Sequence, residues 1–247
     1  MKISNLINFL ILVLLYVGLS SFPFDLFINP SSILIPICQF GVQVLYSILA
    51  YFFIKKSTDF KFDKKERKLS YLFFVPCFIV CFSNYLYMAF VPGDVAPYFS
   101  LQIIPQIFLY ALVALNEEMI FRVLFLNNNE FKNPLVSVLV GAGIFGICHL
   151  TVFFSSMNPA DLIVVCYTFL LGLMLGLIYL FTRNFYLITG IHFAFNFFNK
   201  ILFESLVSNI NYIWLYLLSN AIIVVILVIY LGILFIKNIS ILGSEGE

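Results

Sequence analysis

Leu162-Ile-Val-Val-Cys-Tyr-Thr-Phe-Leu-Leu-Gly-Leu-Met-Leu-Gly-Leu-Ile-Tyr-Leu-Phe-Thr182 contains no charged side chain. A helix needs about 20 mostly apolar residues to cross the hydrocarbon core of a bilayer, so this stretch predicts a transmembrane helix. Working outward from it, similar segments occur at roughly 5–21, 33–54, 70–91, 98–126, 134–155, 185–207 and 211–237. The breaks between them hold turn and polar residues, such as Asn29-Pro30-Ser31, Pro92-Gly93-Asp94 and Asn158-Pro159. The expectation is an all-α fold, a polytopic bundle of about eight spans, forming a single membrane domain over residues 1–247.

Composition agrees. Of 247 residues, 63% are hydrophobic and 10% charged, whereas soluble domains carry about 25% charged residues. A net charge of +1 offers no basic surface for nucleic acid, and the partners expected are the lipid bilayer and a peptide or membrane-protein substrate, with no nucleotide. The five cysteines (Cys38, Cys77, Cys81, Cys148 and Cys166) all lie in apolar runs and read as small buried hydrophobes. The segment at 5–21 reads as a retained first helix, because it has no clear small-x-small cleavage site and further spans follow it.

Lysine and arginine orient the bundle, since cytoplasmic loops collect them. The stretch from Lys55 to Lys68 holds seven of the 13. Setting it in the cytoplasm places both termini there, together with Lys132, Arg183 and Lys237. The opposite loops, 22–32, 92–97 and 156–161, contain none. Lys200 is the exception. The expected localisation is the cell membrane, multi-pass.

Ionisable residues inside the spans stand out against this background. Glu117, Glu118 and Arg122 share the segment 98–126. Each costs about 2.5–3.5 kcal/mol at a helix centre, together about 8–10 kcal/mol if uncompensated. Glu118 and Arg122 are four apart and can pair, which leaves Glu117, about 100° round the helix, to face a cavity. The only two histidines, His149 and His192, also lie in apolar segments, and Asn196 follows His192 by one helical turn. A carboxylate and an imidazole can deprotonate a water. A second imidazole and a carboxamide can donate to an oxyanion. Equally, Glu117, His149 and His192 match the ligand set of a catalytic zinc with an open position, and the residues by themselves leave both readings open.

The order of these residues is informative. Glu117-Glu118-Met-Ile-Phe-Arg122 reads EExxxR, Phe145-Gly-Ile-Cys-His149 reads FxxxH, and His192-Phe-Ala-Phe-Asn196 reads HxxxN. Over roughly residues 98–200 this resembles the CPBP family, the CAAX prenyl proteases and bacteriocin-processing enzymes, also called Abi. The resemblance implies an intramembrane endopeptidase. It implies that Glu117 activates water together with His149, that His192 and Asn196 stabilise the oxyanion, and that Glu118 and Arg122 support the site. It further implies peptide or membrane-anchored precursors as substrates, in bacteriocin or signal-peptide maturation or in self-immunity. Members often carry Gly directly after the motif Arg, where this chain has Val123. A metal-free, glutamate-type mechanism is the preferred form, because Asn196 makes better sense as a donor than as a metal ligand.

Other readings compete. A non-catalytic scaffold or immunity protein would tolerate loss of the motif residues. A proton-coupled transporter would also place Glu, Arg and His in the membrane. Gly141-Ala-Gly143-Ile-Phe-Gly146 spells GxGxxG, but no strand precedes it, so close helix approach explains it better than a nucleotide. Gly172 and Gly176 read the same way. Lys200 and Glu204, four apart, are expected to pair.

Overall fold

The computed structural model describes residues 3–30, 32–57, 81, 101, 103–127, 133–157, 161–202 and 213–237. Its long elements are all helical: α1 (Ile3–Ser20), α2 (Leu34–Ser57), α3 (Ile103–Glu118), α4 (Pro134–Cys148), α5 (Leu150–Ser156), α6 (Asp161–Thr182), α7 (Phe185–Asn196) and α8 (Ile213–Lys237). Two of them continue as wider, π-helical stretches, α3 into Met119–Leu126 and α7 into Phe197–Leu202. The protein is a helical membrane bundle. By length and apolar character, four helices among the described residues can cross a bilayer: Asn5–Leu26, Leu34–Lys56, Pro134–Ser155 and Asp161–Thr182. The expected span at 70–91 lies outside the described residues, apart from Cys81, which is helical and buried.

Local chemistry sets several helix ends. Asn133 caps α4 by accepting from Leu135 N at 2.9 Å, with Pro134 in the first turn, where its missing N–H costs nothing. Asn184 caps α7 through Leu187 N at 3.0 Å. Between α6 and α7, Arg183 takes a left-handed φ of 50°, and its N–H donates back to Tyr179 O at 2.8 Å. This is how the three residues Thr182-Arg183-Asn184 turn the chain between two spans.

The outer faces carry exposed large hydrophobics such as Leu14, Phe52 and Ile236, as lipid-facing surfaces should. Inside, α4 packs closely on α6 through glycine. A Cβ on Gly172 would lie 3.2 Å from Ala142 Cα, and one on Gly176 would lie 2.8 Å from Val138 Cγ1. Gly141 and Gly146 are similarly crowded, against Phe125 and Phe169, whereas Gly143 meets nothing within 4 Å. Small residues therefore serve helix approach at four of these five glycines. Of the four described cysteines, one is buried as expected, and Cys77 lies outside the described residues. Cys166 is exposed on α6, Cys81 is buried, and Cys38 and Cys148 are intermediate, because helix periodicity turns position 166 away from the core.

Candidate active site

The ionisable residues of the apolar spans converge. Glu118 is fully buried, and its Oε1 lies 2.8 Å from His192 Nδ1 while its Oε2 lies 3.1 Å from Arg122 Nε. Arg122 also donates from Nη2 to the carbonyl of Gly172 at 3.1 Å, and its guanidinium sits 5.6 Å above the Phe145 ring. One carboxylate and one guanidinium thus tie α3 to α4, α6 and α7. Burial in a bilayer makes each charge costly when alone, and this mutual pairing is what makes the cluster tolerable.

Glu117 faces a different way. Its Oε1 accepts from the Tyr16 hydroxyl of α1 at 2.7 Å, and its Oε2 lies 3.5 Å from His192 Nε2. Both carboxylates therefore meet the same imidazole, at opposite ring nitrogens. The closer of the two contacts is the 2.8 Å one, between His192 Nδ1 and Glu118 Oε1. That bond fixes the ring and turns Nε2 toward Glu117.

A pitch of 1.5 Å per residue places His149 and His192 at different depths in unbroken helices, so regular spans would keep the groups apart. The observed helices are not regular. The span at 134–155 breaks at His149, which stands between α4 and α5 with φ −82° and ψ −2°. Its Nδ1 lies 2.8 Å from Phe145 O, and its ring packs edge-on against Phe145 at 4.9 Å. The π-helical stretch after Glu118 and the one after Asn196 widen the other two helices beside the site. Such π segments often mark functional positions. Val123, directly after Arg122, is fully buried within the first of them.

Glu117, His149, His192 and Asn196 line one cavity of about 270 Å³. A second, of about 290 Å³, shares Glu117, His149, Phe145, Tyr110 and Lys200 with it and extends past Tyr16 and Gln43. Asn196 is 4% exposed and makes no side-chain hydrogen bond to a described residue, so its carboxamide is available to the cavity. Among the described residues, no three His, Cys, Asp or Glu side chains are grouped as a metal's ligands would be.

Several contributors carry little or no signal in the sequence. Tyr16, one of 14 tyrosines, has no local mark of its role. Asn116 does, as a polar residue in an apolar helix beside Glu117. Its Nδ2 donates to Gln43 Oε1 at 2.7 Å and its Oδ1 accepts from Ser47 Oγ at 2.7 Å, while Gln43 Nε2 donates to Ser20 Oγ at 3.0 Å. This polar ladder anchors α3 to α1 and α2 one residue before Glu117. Asn199, also buried, donates to Phe195 O at 3.0 Å and leaves its Oδ1 without a partner next to the cavity it lines. Glu204, the expected partner of Lys200, lies outside the described residues.

Residues 99–198 match the family model described as type II CAAX prenyl endopeptidase Rce1-like. No curated protein and no solved structure matches the chain.

Proposed function

We propose, from the premise that residues 99–198 match the Rce1-like family of type II CAAX prenyl endopeptidases, that this multi-pass membrane protein is an intramembrane endopeptidase of the cell membrane. The observation that carries the reading is Glu117, held at the wall shared by two cavities by Tyr16 on one oxygen and His192 beside the other. The role proposed for it is that of a general base that activates a water in these cavities.

In the proposed reaction, Glu117, assisted by His149, takes a proton from a water as the water oxygen bonds to the peptide carbonyl carbon. Negative charge builds on the carbonyl oxygen, which Asn196 Nδ2 and the Nε2 edge of the His192 ring are proposed to stabilise. The tetrahedral carbon then expels the amine. The C–N bond breaks, and the proton held by Glu117 passes to the leaving nitrogen, so the carboxylate is regenerated. Glu118 and Arg122 touch none of the reacting atoms. Glu118 holds the His192 ring at its far nitrogen, and Arg122 in turn holds Glu118.

The mechanism proposed is the glutamate type, without zinc. What supports it is His192, with one nitrogen on Glu118 and the other toward Glu117, and Asn196, whose carboxamide suits a hydrogen-bond donor better than a metal ligand. Substrates are proposed to be short or membrane-associated peptide precursors, with bacteriocin or signal-peptide maturation, or self-immunity, as the settings the family suggests.

The test is cleavage of a peptide library by the purified protein in detergent, with wild type and Glu117→Ala in parallel and a chelator in a third lane. Cleavage lost with Glu117 and unaffected by the chelator is the expected result. Equal cleavage by both proteins would remove Glu117 from the reaction, and loss on chelation would return zinc.

A further inference from the structure

The two cavities lie toward one end of the bundle. Ser20 and Ser21 at the end of α1, Gln39 near the start of α2, Tyr110 in the first half of α3, and His149 and Thr151 at the α4–α5 break line the first of them. Lys200, near the end of the widened stretch after α7, lines both. The opposite end is fixed by other contacts. Asn127, just after the widened stretch of α3, accepts from Arg183 Nη1 at 2.9 Å and donates to the Tyr179 hydroxyl at 2.8 Å. Phe181 of α6 meets Phe235 of α8 at 6.0 Å.

The two ends differ in charge. Lys55 and Lys56 close α2, Arg183 joins α6 to α7, and Lys237 closes α8, all away from the cavities. The sequence following α2 adds Lys61, Lys64, Lys65, Arg67 and Lys68. By the rule that cytoplasmic ends collect Lys and Arg, the cavities open at the non-cytoplasmic end. Among the described residues, Lys200 is the one basic side chain at that end. It is exposed, makes no ion pair with a described residue, and sits 5.9 Å over the Tyr110 ring. Its position in both cavity walls gives it a use other than topology.

We propose that substrate reaches Glu117 from the non-cytoplasmic side, so that the site serves peptides already carried across the membrane, with Lys200 at the entrance receiving an acidic group of the peptide. That these peptides are then cut rests on the peptidase reading. The side of entry and the role of Lys200 do not.

Two measurements independent of cleavage test this. The first is made in intact cells on full-length protein with its five cysteines replaced by serine. A membrane-impermeant maleimide is expected to label Ser21→Cys directly and Ser57→Cys only after permeabilisation; the reverse pattern would overturn the entry side. Should the cysteine-free chain fail to accumulate, an alkaline phosphatase fused behind Lys237 of the unaltered sequence reads the same orientation. An inactive phosphatase is expected, and an active one overturns the proposal. The second is anisotropy of a fluorescent pentapeptide with a central glutamate, against its glutamine counterpart, on the purified protein. Lys200→Met is expected to weaken the acidic peptide about tenfold, roughly 1.4 kcal/mol, and leave the neutral one unchanged, while Lys200→Arg retains the preference. Equal binding of the two peptides by wild type would remove Lys200 from recognition. Binding and labelling as expected with no cleavage of any peptide would leave this inference standing and defeat the peptidase reading instead.

Discussion

Tyr16 and Glu117 lie 101 positions apart in the chain and 2.7 Å apart across the site. The first helix, which precedes the matched region, thus supplies a hydrogen bond to the proposed base. Removing the hydroxyl with Tyr16→Phe is expected to lower kcat about tenfold with KM little changed, because Glu117 loses its hold while the cavity keeps its shape. The loss in stability should be small, about 1 kcal/mol, as is usual for interhelical hydrogen bonds in membranes. Steady-state kinetics beside thermal unfolding in detergent separate the two effects, and a rise in KM alone would assign Tyr16 to binding.

Glu117→Gln keeps the volume and removes the base. Cleavage should fall by a factor of about 10²–10⁴, the usual contribution of a general base, while the melting temperature stays near that of wild type. A variant that unfolds would show up in the melting curve and not only in the rate.

The buried pair behaves differently. Arg122→Met leaves the Glu118 carboxylate buried without its 3.1 Å partner, and breaking such a pair costs about 3–5 kcal/mol. Expression and thermal stability should drop sharply. Adding Glu118→Gln should restore part of the stability, since the unpaired charge is gone, but not the activity, since His192 then loses its carboxylate. Recovery of both together would make Glu118 purely structural.

Close approach of α4 and α6 is testable without touching the site. A Cβ at position 176 would sit 2.8 Å from Val138 Cγ1, so Gly176→Ala should destabilise by about 1–3 kcal/mol through overpacking. Val138→Ala in the same chain should recover most of that loss. Thermal unfolding of the two single variants and the double variant measures the coupling, and additive effects would show that the helices shift instead of clashing.

Much of the fold is legible in the sequence because the bilayer imposes it. Long apolar runs such as 162–182 must be helical, since no other single segment satisfies its own backbone hydrogen bonds in lipid. Charges within such runs are costly enough to be conspicuous, which is why Glu117, Glu118, Arg122, His149 and His192 stand out in the sequence. The four-residue spacing of Glu118 and Arg122 likewise gives their pairing. How these groups meet is a matter of packing. The break at His149 and the widened stretches after Glu118 and Asn196 are irregularities that a periodic pattern does not announce, and they bring side chains at different depths to one cavity. Packing also chooses the partners. Nothing local marks Tyr16 among the tyrosines, or links Gln43 to Asn116, because those bonds arise only when separate helices come together. Which residues the membrane obliges the protein to compensate is written along the chain; what compensates them is set by the contacts between helices.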